Sequence, residues 1–292
     1  MKYLYSLFIL SVCATAATAG SKGLPFTMIR AVADTDTAVV VHKQSLSIGV
    51  NYSSDAQFFG RTGPITYPDM TLDAVYNTKG GFFVYGTALK LLGYPTLTDE
   101  VDLGVGYLHR FTKTYKVSAS YNRFIFSDDE RVIASAAAND FNLKNNFNWK
   151  LFQSSATFDY LFGKASDFFT TVSISKYYET PWSIFDDKDY LTINPSISAI
   201  IGTQNFVQRY SQDHVDQLDV TNIAIIGDDH VPPYNNGRFN MLNYSFKVPI
   251  AYNRAHYTLE ASYKYSIPVN VEGALKNKRE SFYNLTFYYV FY

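Results

Sequence analysis

From about residue 44 to the end of the chain, apolar and polar side chains alternate with a period of two, the pattern of strands that show unlike faces to unlike surroundings. Ala255, Tyr257, Leu259, Ala261, Tyr263, Tyr265, Ile267 and Val269 fall on one face of a segment. His256, Thr258, Glu260, Ser262, Lys264 and Ser266 fall on the other. Just upstream, Leu242, Tyr244, Phe246, Val248, Ile250 and Tyr252 oppose Asn243, Ser245, Lys247 and Ala251. Only Asn253-Arg254 separates the two segments, which is a tight-hairpin length. The same alternation marks 46–52, 101–107, 115–122 and 141–150. Further strands fit near 70–78, 81–92, 153–163, 167–179 and 190–205. With the segment that ends the chain, the total is about twelve.

The connections alternate in length. Short ones fall at Thr78-Lys79-Gly80, Thr112-Lys113-Thr114, Phe152-Gln153 and Asn253-Arg254. Longer ones fall at 54–69, 93–99, 127–140, 206–240 and 270–280. If the first strand runs upward, every one of those short turns lies on one side and every long loop on the other. Two connections break this rule: 163–167 is short where a long one belongs, and 180–189 is long where a short one belongs. No internal repeat and no domain boundary interrupts 44–292.

A soluble sandwich turns its apolar face inward, whereas a transmembrane barrel turns it toward lipid, so alternation alone does not separate them. Strand length separates them better. These strands run about 10–14 residues, as a tilted bilayer crossing requires, against five or six in typical soluble sheets. Tyr and Phe gather near the strand ends, where aromatic girdles belong. The chain then ends on Tyr283, Leu285, Phe287, Tyr289 and Phe291, set against Phe282, Asn284, Thr286, Tyr288, Val290 and Tyr292.

On these residues the chain resembles the Gram-negative outer-membrane β-barrel class. The resemblance implies an all-β fold: a single transmembrane antiparallel up-and-down barrel over 44–292, embedded in the outer membrane. It also implies that Tyr283, Leu285, Phe287, Tyr289, Phe291 and Tyr292 form the signal read by the barrel-assembly machinery. The cleanest apolar face ends on Phe291, one residue short of the terminus. Closure predicts that the last strand pairs with the first, near Ser45–Asn51, because an unpaired backbone group in lipid costs several kcal/mol.

Composition narrows the reading further. The 292 residues carry a formal net charge of -1, which excludes the basic footprint of a nucleic-acid binder. Charged residues are 17%, below the roughly 25% of ordinary globular chains. Residues 1–19 read as a signal peptide: Lys2, an apolar run to about Val12, and Ala17-Thr18-Ala19 before the expected cleavage. The single cysteine, Cys13, falls inside that peptide, so the mature chain has no disulfide, thiolate metal site or Cys nucleophile. Residues 20–43 are expected to stay periplasmic or to plug the lumen.

The five histidines are His42, His109, His214, His230 and His256, none in a His-x-Ser arrangement. Asp213-His214 with Asp216, Asp228-Asp229-His230, Asp128-Asp129-Glu130 and Asp186-Asp187-Lys188-Asp189 read as solvated loop charge. No catalytic residue, metal site or cofactor is assigned. The polar faces place Asp102, Lys116, Asn122, Lys144, Asn146, Asn148, Lys150, Lys247, Glu260 and Lys264 on the lumen, with Asp73 and Asp159 beside them. A polar lumen with both signs of charge predicts a small-solute channel or passive transport protein, whose surroundings are the lipid bilayer. The alternatives are a surface receptor or structural barrel using its long loops, and a lipid-modifying enzyme.

Overall fold

The computed structural model describes residues 44–63, 65–127, 137–185, 189–207, 238–272 and 275–292. The proposed leader 1–19, the segment 20–43, His42, His214, His230 and the acidic runs at 128–130, 186–188 and 213–229 lie outside the described residues.

The chain forms one antiparallel barrel. Its segments are β1 (Ser45–Ser53), β2 (Asp69–Asn77), β3 (Phe82–Leu91), β4 (Glu100–Arg110), β5 (Tyr115–Phe126), β6 (Asn139–Asn148), β7 (Gln153–Phe162), β8 (Ser166–Ser175), β9 (Tyr178–Glu179), β10 (Tyr190–Ile193), β11 (Ser196–Gly202), β12 (Asn240–Asn253), β13 (Tyr257–Pro268) and β14 (Glu280–Phe291). Two staves are each broken in two, β8 with β9 and β10 with β11, so the fourteen segments make twelve staves. The break between β10 and β11 falls at Asn194-Pro195, since proline has no N–H to give the ladder.

Closure is made by β1 and β14, in register from Leu46↔Phe291 to Ser53↔Asn284. The aromatic end of the chain is therefore a wall strand, paired on both edges and continuous with β13. Its outward face is the one expected: Leu285 and Phe287 remain about half exposed, while Phe282, Thr286 and Tyr288 on the inward face are buried. A closed barrel has no inner core to receive that outer apolar surface, so the surface is the lipid-facing one, and the protein is an outer-membrane-type β-barrel.

The rings form two girdles. Near the short turns, Phe82, Tyr107, His109, Phe111, Tyr115, Phe147, Trp149 and Phe152 touch in succession at centroid separations of 4.5–6.1 Å. Near the long loops, Tyr121 meets Phe141, Phe141 meets Phe162, and Tyr263 meets Tyr283. His109 and His256 are girdle members, His256 stacked on Tyr289 at 6.0 Å.

The two irregular connections are real. β7 and β8 are joined by only 163–165 at the loop end. The turn-end connection 180–189 is long and is tied down by Asp189, which accepts the N–H of Ile184 and Phe185 and the hydroxyl of Tyr252.

Leu285→Arg should cost about 2–4 kcal/mol of stability, because it puts a guanidinium at mid-height on the lipid face. Thr286→Ser, the inward neighbour, should cost far less. Urea unfolding of each variant in lipid vesicles reads the difference; equal losses would mean the two faces are reversed.

Candidate functional site: a polar cavity beneath an aromatic plug

The interior alternates with the exterior residue by residue, so the polar half of each strand lines one cavity of about 610 Å³. It runs from Asn148, Gln153, Tyr190 and Asn253 at the turn end to Gln57, Phe58 and Phe59 near the loop end. Asp102, Lys116, Asn122, Lys144, Asn146, Asn148, Lys247, Glu260 and Lys264 all stand on its wall, as do Asp73 and Asp159. Lys150 does not. β6 ends at Asn148, and Trp149 turns back to β7 by donating its N–H to the carbonyl of Phe152, which leaves Lys150 exposed in the turn.

Charge is unevenly spread around the wall. Carboxylates come from Asp69 and Asp73 on β2, Glu100 and Asp102 on β4, Asp140 on β6 and Asp159 on β7, with Asp55 and Glu260 elsewhere. The cavity-lining cations are Lys116, Lys144, Lys247 and Lys264. Eight carboxylates against four ammonium groups bias the lumen acidic. The last two lysines face each other directly across β12 and β13. That like-charge pairing is relieved by Glu260, 3.7 Å from Lys247, and by Gln57 and the ring of Phe282, which receive Lys264.

Glycine on the wall makes room for aromatic rings inside. A Cβ at Gly49 would fall 2.0 Å from the Tyr288 ring, and one at Gly104 2.0 Å from the Tyr85 ring. Tyr288 thus lies flat on β1 and reaches Asp73, which also accepts the hydroxyl hydrogen of Thr87.

Sequence reasoning missed the β1–β2 connection. Residues 54–63 and 65–68 do not project outward. They fold into the barrel mouth and cross it to the opposite wall. At the tip, Phe58 and Arg61 exchange both backbone hydrogen bonds at 2.9 Å, and Phe59 and Gly60 have φ of 45° and 73°. These are the values of a two-residue hairpin turn with both central residues left-handed. Gly60 suits that conformation, and its carbonyl accepts from the side chain of the buried Asn243. Phe59 carries the strain, offset by its ring, which stacks on Phe169 of β8 at 3.8 Å. Phe58 sits edge-on to Phe59, Phe169 and Phe206. Leu89, Leu91, Phe124, Leu161, Ile200 and Leu242, all near the loop ends of their strands, complete an apolar cluster across the lumen.

Arg61 fixes this plug. Its guanidinium is fully buried and donates to the carbonyls of Leu242, Val269 and Asn270 and to Gln204 Oε1, at 2.6–3.1 Å. Burial pulls its pKa down to about 10 and the nearby Glu272 pushes it back up, so it stays charged at neutral pH. The base of the loop is latched from the β13–β14 connection. Lys276 bridges Asp55 at 3.2 Å and Glu280 at 3.3 Å and donates to Thr66. Burial raises the Asp55 carboxyl above its ordinary range, against the lowering pull of the Tyr67 N–H and Lys276.

No protein-family model matches this chain, and no curated protein matches it. Solved structures do. The KdgM porin is similar over 84% of this chain and 99% of its own, at 8% identity and a TM-score of 0.47. The NanC porin is similar over 84% and 98%, at 10% identity and 0.46. LpxR from Salmonella typhimurium is similar over 84% and 99%, at 8% identity and 0.44.

Arg61→Met should free the plug, because it strips the shared donor from four acceptors, two of them buried, a loss of at least about 3 kcal/mol. Chymotrypsin should then cut at Phe58 or Phe59 in folded barrels, where the parent chain resists. A variant as resistant as the parent would show that apolar packing alone holds the hairpin.

Proposed function

We propose that the barrel is a gated channel for small polar solutes. The carrying observation is the continuous polar cavity that ends against the inserted β1–β2 hairpin. Asp102, Lys116, Asn122, Lys144, Asn146, Asn148, Lys247, Glu260 and Lys264 line the path on this reading. The excess of carboxylates favours cations and neutral polyhydroxyl solutes over polyanions, since fixed wall charge sets the field inside a narrow water-filled bore. The plug makes the closed state, and withdrawal of Phe58–Arg61 opens the mouth. Residues 1–19 serve as export leader, and Tyr283–Tyr292 as the segment that the assembly machinery reads. The closed hairpin also fits a second reading, a surface receptor with a blind internal cavity, in which the plug never leaves.

Single-channel recording in planar bilayers tests this. The parent barrel should show brief or small openings. A variant with Gln57–Arg61 replaced by Gly-Ser-Gly should stay open and be cation-selective in a salt gradient. Asp102→Asn together with Asp159→Asn should reduce that selectivity. Silence of the shortened variant, with the barrel folded as judged by heat modifiability on a detergent gel, would leave the receptor reading standing. Anion selectivity would reject the role given to the carboxylates.

A further inference from the structure

On the wall formed by β5, β6 and β7, three cavity-lining side chains present acceptors without a hydrogen-bond partner among the described residues. They are Asn122 Oδ1, Asp140 Oδ1 and Asp159 Oδ2. Asn122 and Asp159 are 7% and 2% exposed. All three line the cavity just beneath the plug. They are also neighbours: Asn122 pairs directly with Asp140 across β5 and β6, and Asp159 stands diagonal to Asp140, opposite Asn142. The Nδ2 of Asn142 already donates to the other oxygen of Asp159.

A buried acceptor with no donor costs about 1–3 kcal/mol, so three within one patch form a demand the barrel itself does not meet. The demand has a definite chemistry. It calls for hydrogen donors, because every open position is an acceptor. It calls for positive charge, because two of the three groups are carboxylates and Asp102 shares the wall. Lys144, on the same wall, offsets this field only in part. A primary ammonium has three donors on one centre, one for each of the three open acceptors.

We propose that this patch is a binding site for the primary ammonium group of a small solute. The proposal rests on the reading of the cavity as a solute compartment and narrows its substrate class to amines. The solute enters from the turn end, and its ammonium docks against Asn122, Asp140 and Asp159 beneath Phe58 and Phe59. The rest of the molecule lies along the Ser- and Thr-rich wall of β7 and β8, where Ser155, Thr157, Thr171 and Ser173 face the cavity.

Isothermal titration calorimetry on the full-length folded barrel in detergent tests the site without requiring conduction. Ethanolamine and choline are the probes: both are small cations with a hydroxyl, and only ethanolamine has N–H donors. Ethanolamine should bind at least about tenfold more tightly than choline, and Asp159→Asn should weaken ethanolamine by about tenfold or more. Asn122→Ala, which leaves the charge unchanged, should weaken ethanolamine while leaving choline alone. Folding of each variant is checked by heat modifiability. Equal binding of the two probes would reduce the patch to a nonspecific cation field. Absence of ethanolamine binding, or its retention in both variants, would overturn the site. Conduction without binding sinks this site and spares the channel; binding in an electrically silent barrel sinks the channel and spares the site.

Discussion

Everything in this molecule follows from the need to pair every backbone N–H and C=O inside a medium with no water. In hydrocarbon an open sheet edge costs several kcal/mol per group, so the first and last strands must meet. β1 and β14 do so over eight residue pairs, and the terminal aromatic run is the strand that closes the ring. Closure then fixes the facing of every side chain, because a one-residue slip would exchange lipid and lumen along a whole strand. Gly49 against Tyr288 shows how tightly that facing is packed: a methyl group on the wall would collide with the ring inside.

Closure also creates a problem. Twelve staves enclose more space than their own side chains fill, so the bore must hold water, ligand or another part of the chain. At the loop end the chain supplies the filling itself. The β1–β2 hairpin brings two phenylalanines into an apolar cluster and one arginine among carbonyls. The arginine matters because its donors spread over three separate segments, 204, 242 and 269–270. A purely apolar tip would gain area and no orientation, whereas a planar fork of donors accepts only one placement. The left-handed turn at Phe59-Gly60 aims Phe59 at Phe169 and Arg61 at those carbonyls together.

The barrel wall was legible in the sequence because its cause is local. Leu285 and Thr286 differ in polarity because they differ in surroundings, and adjacency in the chain guarantees opposite faces. Strand count, closing pair and both irregular connections could be read this way. Lys150 could not, since alternation continues past the point where Trp149 turns. The plug was illegible for a deeper reason. Phe58-Phe59-Gly60-Arg61 lacks the Asn-Gly or Asp-Gly signal of a two-residue hairpin, and a long polar loop after a membrane strand ordinarily faces water. Its fold is dictated by Phe169, Leu242 and Asn243, more than a hundred residues away. The lone signal was two adjacent phenylalanines in a loop, an apolar cost that solvent exposure would not tolerate.

The charged wall belongs with the plug. The carboxylates of β4, β6 and β7 lie just beneath the apolar cluster, away from open solvent. Like charges gathered in such a place repel and lose hydration, and they lower stability unless something answers them. Lys144 and Asn142 answer part of that cost from the same wall. On the opposite side, Lys264 gives its ammonium to Gln57 of the hairpin and to the face of Phe282. Lys264 is therefore committed to the hairpin, and the acidic wall is left with acceptors to spare. A chain selected only to fill a cylinder would have used leucine at Asp159, as it did two positions on at Leu161. Polarity kept at Asp159, beside apolar packing at Leu161 on the same inward face of one strand, marks the boundary between the part of the bore built to be closed and the part built to be occupied.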